Sequence, residues 1–181
     1  MNRKVYTADL HLDHMMILKH THRPFASIEE QLEILIKNFN EVLERGDILY
    51  VLGDTSITKH GHEITEAFLR KVNATEFHLI VGNHDSKKTQ RLDIWTTVSD
   101  IKEVKDNGQR LILCHYPLAQ WNKSANGSVQ IHGHSHGNYN HPGNSCDVGI
   151  DCWNFRPIML NDILHRIEVK QYLNGKVKYD A

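Results

Sequence analysis

Five short apolar runs in this chain end in the same way, and that shared ending restricts the fold more than any other feature. Val5-Tyr6-Thr7-Ala8 leads into Asp9-Leu10-His11, "ILYVL" at 48–52 into Gly53-Asp54, and "FHLIV" at 77–81 into Gly82-Asn83-His84-Asp85. "LILC" at 111–114 leads into His115, and "VQI" at 129–131 leads through His132 into Gly133-His134-Ser135-His136. Runs of this length and composition predict buried strands. Each delivers an Asp, Asn or His at its C-terminal end, the edge at which α/β folds bind ligands. The fold must therefore bring several strand ends to one place.

The rest of the pattern fits an α/β chain. Ser27 and Glu30 form an S-x-x-E capping box, and Ile28, Leu32, Leu35, Phe39, Val42 and Leu43 line one face of a helix predicted over 27–45, stopped by Gly46. Further helices are predicted over 62–72 and 160–167, the last capped by Asn161 or Asp162, with another strand at 148–150. Asn107-Gly108 and Asn174-Gly175 read as hairpin turns. Strands separated by helices early and hairpins late predict mixed sheets. No repeat or linker divides the chain, and 181 residues suit a single domain over 1–181.

Composition removes several function classes. A net charge of −1 gives no basic surplus for duplex nucleic acid. Three cysteines, an odd number without C-x-x-C spacing, argue against a disulfide framework and a thiolate zinc site. No apolar run reaches membrane-spanning length and no signal-peptide core follows Met1, so a cytoplasmic protein is expected. Histidine, at 14 residues, is the unusual count. His20, His22, His60, His62, His78, His141 and His165 fall in no pattern, and alternation points His132 away from the shared edge.

Asp9, His11, Asp54, Asn83, His115, His134 and His136 are the ligand types of Mn2+, Fe2+, Zn2+ or Ni2+. Seven exceed what one tetrahedral ion uses, but two ions roughly 3.5–4 Å apart accommodate them if a carboxylate bridges. Two aspartates against two divalent ions leave a first shell of about +2, which attracts phosphate and activates water.

D-x-H, G-D, G-N-H-D, an isolated H and G-H-x-H, in this order across residues 9–136, resemble the motifs of the calcineurin-like metallophosphoesterase superfamily. "HLDHMMIL", "HRPF", "HYPLAQWN" and "DVGIDCWNFRPI" further resemble a compact bacterial and phage phosphoesterase branch. The resemblance implies a four-layer α/β/β/α sandwich of two mixed sheets flanked by helices. It implies that Asp9, His11 and His136 bind one ion, that Asp54 bridges, and that Asn83, His115 and His134 complete the second site. His84 would protonate the leaving group, with Asp85 orienting it. Mn2+ is the favoured pair of ions, with Fe, Zn or Ni as alternatives. The chain departs from the pattern where Thr55, Ser56 and Ile57 follow Gly53-Asp54 without an acidic or basic residue, and where Asp13-His14 replaces the branch's Gly-His.

Arg23 and Arg156 are candidate phosphate clamps, because a guanidinium matches phosphate bidentately. His14 is a candidate substrate contact or helix-start residue, and Trp121 and Trp153 are rim or core packing residues. The expected activity is hydrolysis of small or nucleotide-like phosphodiesters or phosphomonoesters by a metal-activated hydroxide. A nuclease of the same superfamily and a non-catalytic metal-bound interaction scaffold are the alternatives.

Overall fold

A computed structural model of the chain describes residues 2–179, and side chains as far as 173. The strands are β1 (Lys4–Thr7), β2 (Asp47–Val51), β3 (Ala74–Ile80), β4 (Thr97–Ser99), β5 (Ile101–Asp106), β6 (Gln109–Cys114), β7 (Val129–His132), β8 (Ser145–Asp147) and β9 (Ile158–Met159). The helices are α1 (Met15–His20), α2 (Ile28–Val42), α3 (Gly61–Leu69), α4 (Lys87–Gln90) and α5 (Leu160–Tyr179). One sheet has the order β4-β3-β2-β1-β9, parallel except for β9. The other has the order β5-β6-β7-β8, parallel except for β5.

Alternation along the central strands divides the core. Val5, Leu49, Val51 and Leu79 pack with Leu35 and Phe39 of α2 and Phe68 and Leu69 of α3. Their neighbours Tyr6, Tyr50, Leu52 and Ile80 face Val104, Leu111, Leu113, Val129 and Ile131 of the second sheet. The sheets thus pack face to face with helices outside, the expected α/β sandwich. Each fully buried aliphatic or aromatic side chain contributes roughly 1.5–3 kcal/mol of transfer free energy. α5 adds Ile163 and Ile167 to the inter-sheet core. Among the described residues no helix is long and apolar enough to cross a membrane.

Several boundaries differ from expectation for identifiable reasons. Ser27 caps α2 as predicted, accepting the Glu30 N–H at 3.2 Å, while Glu30 reaches back to the Ala26 N–H. The helix stops at Val42 rather than 45, because Asp47 captures the Glu44 N–H and Arg3 donates to the Val42 carbonyl. The strand expected at 148–150 lies three residues earlier, in β8 (Ser145–Asp147). Asp147 accepts the Gly149 N–H, which turns the chain out of the second sheet to bridge Ala8. Asn107-Gly108 does turn β5 into β6. The hairpin expected at Asn174-Gly175 lies outside the residues whose side chains the structure describes.

Candidate metal centre

The three parallel strands β1, β2 and β3 end side by side, and so do β6 and β7. Their following loops are stitched together by main-chain bonds: Asp9 N–H to the Gly53 carbonyl at 3.1 Å, His11 N–H to Asp54 at 3.0 Å, and Gly133 N–H to His115 at 3.0 Å. At five of the seven positions the chain then turns through a left-handed residue. Asp9 (φ 58°), His11 (47°), Asp54 (55°), His134 (67°) and His136 (47°) all have positive φ. That conformation costs an L-residue roughly 1–2 kcal/mol, and such strain concentrates at functional sites. Glycines clear the space between these turns. A Cβ on Gly82 would collide with Asp54 Oδ1, and one on Gly133 would lie 2.7 Å from Asp9 Oδ2.

The result is two ligand groups, Asp9-His11-His136 and Asp54-His115-His134, each with its ligand atoms within 4.8 Å of one another. Each could hold a metal ion. Asp54 lies between them: its Oδ2 is 3.7 Å from His11 Nε2 and 3.4 Å from His115 Nε2. Asn83 joins the second group, its Oδ1 standing 3.1 Å from His115 Nε2. All seven residues singled out by their place after strands therefore converge.

The donor set fits divalent cations. His115 Nδ1 lies 2.7 Å from the Leu52 carbonyl and His136 Nδ1 lies 2.7 Å from Asp151 Oδ2. Those acceptors hold a proton on Nδ1 and turn Nε2 towards the cluster, the usual outer support of a metal-bound imidazole. His11 is 2% exposed, yet neither of its ring nitrogens has a hydrogen-bond partner among the described residues. Burial lowers its pKa to about 3, so the ring is neutral. A buried, unsatisfied polar group costs about 1–3 kcal/mol, and a cation accepting the lone pair removes that cost.

The charges respond to the same crowding. Burial pushes the Asp9 carboxyl up to about 7. Burial opposes ionisation of Asp54 too, but the hydrogen bond and charge of His115 prevail and lower it to about 2. His115 correspondingly rises to about 9, its desolvation outweighed by Asp54 and Asp9.

His84 lies on the open side. Its backbone N–H donates to Asp54 Oδ1 at 2.9 Å, and its ring, 36% exposed, has Nε2 3.9 Å from Asp54 Oδ2. His14 occupies the position before α1, and its ring centroid is 5.4 Å from that of His11 and 6.5 Å from that of His84. It is both the helix-start residue and a wall of the site.

Three expectations are corrected. Arg23 is no phosphate clamp: its buried guanidinium donates to Asp9 O, Leu10 O, Gln31 Oε1 and both Asp151 oxygens, leaving nothing for a ligand. Arg156 pairs with Glu41 of α2 at 2.6 Å, on a surface where its charge serves a local ion pair. Asp85 does not orient His84. Its carboxylate gathers the N–H groups of Gly82, Asp54 and Thr55 and the Thr55 hydroxyl, closing the loops around the bridging position. Asp13 likewise accepts the Ile57 and Thr58 N–H groups, so it braces the loop after Gly53-Asp54. Trp153 caps Arg166 and donates to the Asp147 carbonyl, a packing role.

Sequence reasoning missed Asp147 and Asp151. Asp147 accepts the Ser135 hydroxyl at 2.7 Å and the Gly137 N–H at 3.0 Å, shaping the His134–His136 turn. The only available signal was the segment "DVGIDCWNFRPI", where both aspartates stand without apolar periodicity.

No family model matches the chain. The uncharacterized protein MJ1445 of Methanocaldococcus jannaschii is 32% identical over 174 residues, covering 92% of each chain. Among solved structures, the protein of unknown function AQ665 from Aquifex aeolicus is similar, with a TM-score of 0.68 and 22% identity over 90% of this chain and 98% of that one. YfcE, a phosphoesterase from E. coli, is similar more loosely, with a TM-score of 0.47 and 20% identity over 81% and 78% of the two chains.

Proposed function

The chain belongs to one family with the archaeal protein MJ1445, and from its ligand cluster and its motifs, which resemble those of the calcineurin-like metallophosphoesterase superfamily, we propose that it is a dinuclear metal-dependent phosphoesterase. Its substrates are small or nucleotide-like phosphodiesters or phosphomonoesters. The observation that carries this reading is the buried, neutral and unpartnered His11 ring beside Asp54, with a second set of ligand atoms on the other side of the same carboxylate.

Asp9, His11 and His136 would hold one cation, and Asn83, His115 and His134 the other, with Asp54 standing between the two groups. Bound there, two divalent ions, Mn2+ by preference, supply positive charge for a phosphate and lower the pKa of a water toward neutrality. His84 does the proton work. Its backbone bond to Asp54 fixes the ring beside the cluster, and its exposed side faces the space a leaving group would occupy. From there Nε2 hands a proton to the departing oxygen, a contribution of about 10²–10⁴ in rate. His14 limits that space on the α1 side. Tyr116, its ring centroid 4.8 Å from that of His134, limits it on the other. With Arg23 and Arg156 committed elsewhere, the cluster itself must meet the phosphate charge. Three free cysteines accord with a reducing cytoplasm.

The test is release of nitrophenolate from bis(p-nitrophenyl) phosphate and p-nitrophenyl phosphate with Mn2+, Ni2+, Zn2+ or Mg2+, alongside single- and double-stranded DNA. Metal-dependent turnover of a small ester, abolished by chelation, is expected. Cleavage of DNA alone would make it a nuclease. A protein that binds two ions and turns over nothing would be a scaffold, and the proposal would fail.

A further inference from the structure

Arg23 and Asp151 stand 128 positions apart in sequence and meet inside the protein, with side-chain exposures of 0% and 7%. The pair is bidentate, Nε to Oδ1 and Nη2 to Oδ2, both at 2.8 Å. Burying two charges is expensive and contributes little net stability, so its geometry is more informative than its energy. The pair's other hydrogen bonds run to one ligand group, to Leu10 within its turn and to Gln31 beside it. Asp151 Oδ2 also takes the His136 Nδ1 proton at 2.7 Å. Arg23 Nη2 donates to the Asp9 carbonyl at 2.8 Å, and Nη1 to the Leu10 carbonyl at 3.0 Å. Gln31, held by Arg23, donates its amide to the His11 carbonyl. One ion pair thus grips both left-handed turns, at Asp9–His11 and at His136, that supply the first cation's ligands. None of its hydrogen bonds reaches Asp54, Asn83, His115 or His134.

The geometry points to Arg23–Asp151 as a positioning pair that sets affinity for the first cation alone. Asp151 fixes the His136 ring so that Nε2 is its free nitrogen, and Arg23 holds the Asp9–His11 turn at a matching distance. This rests on the two-ion reading. An outer-shell partner of this kind typically changes metal affinity about 10- to 100-fold.

Mn2+ titration of metal-free protein, followed calorimetrically and by the free-ion EPR signal, tests it. The unaltered protein must first bind two equivalents; a single equivalent or none would sink the two-ion reading itself. Asp151→Asn, nearly isosteric, is expected to weaken one step about 10- to 100-fold and leave the other unmoved. Arg23→Lys, which keeps the charge but not the fork, is expected to fall between. Adding Asn83→Ala to Asp151→Asn should weaken both steps, identifying the step left untouched as the second cation's. Two unchanged steps in Asp151→Asn, or both weakened together with a lowered melting temperature, would overturn the assignment. Failure of both single variants to fold would overturn it as well, because the pair would then hold the chain rather than the ligands.

Discussion

The two halves of the ligand cluster are held by different means. Around Asp9, His11 and His136 the holding is done by a side-chain pair, Arg23–Asp151, assembled from opposite ends of the sequence. Around Asp54 and His115 the ring is fixed by a main-chain acceptor, the Leu52 carbonyl, while the Asp85 carboxylate gathers the N–H groups of its own loop and of Asp54. A backbone tether comes with the strand that supplies it. A side-chain tether can be removed while the strand remains. The His136 ring, held by Asp151, is therefore the imidazole that a substitution outside the ligand set can release, whereas the His115 ring is not.

Asp54→Ala removes the group both halves share. Turnover should fall to background and both ions should be lost on dialysis, as read by elemental analysis; one ion retained at full affinity would show that the halves are independent. His84→Ala should lower turnover about 10²–10⁴-fold with both ions retained. Full activity in that variant would move the acid role elsewhere. Gly149→Ala tests the first half sterically, because its Cβ would lie 2.6 Å from Asp9 Oδ2. It should weaken one binding step about tenfold or more, the scale of an outer-shell loss; equal weakening of both would erase the distinction.

A smaller effect separates metal-free from metal-loaded protein. His115 titrates at about 9 when folded, against an ordinary value near 6.5, because Asp54 and Asp9 hold its proton despite burial. A raised pKa gives stability that is present below the unfolded value and lost as pH rises through the folded one. Metal-free protein should therefore lose stability between pH 7 and 9 in urea unfolding, and metal-loaded protein should not. A flat metal-free profile would contradict the His115–Asp54 pairing.

The convergence of the candidate ligands was legible in the sequence because each follows an apolar run, and a parallel sheet places such positions together without further information. Mixed sheets followed from the same runs, whereas the four-layer sandwich came from the resemblance to the metallophosphoesterase motifs. The supports were not legible. Nothing local in "HRPF" distinguishes an arginine for phosphate from one for Asp151, and only the fold brings the two together. Asp85 was placed correctly in the loop but given the wrong neighbour, since adjacency in sequence does not say which way a carboxylate points.

Anomalous diffraction from crystals grown with Mn2+ addresses the shared cluster directly. Two peaks roughly 3.5–4 Å apart, one bounded by Asp9, His11 and His136, the other by Asn83, His115 and His134, with Asp54 touching both, are the predicted result. A single peak, or peaks held by other residues, would contradict it.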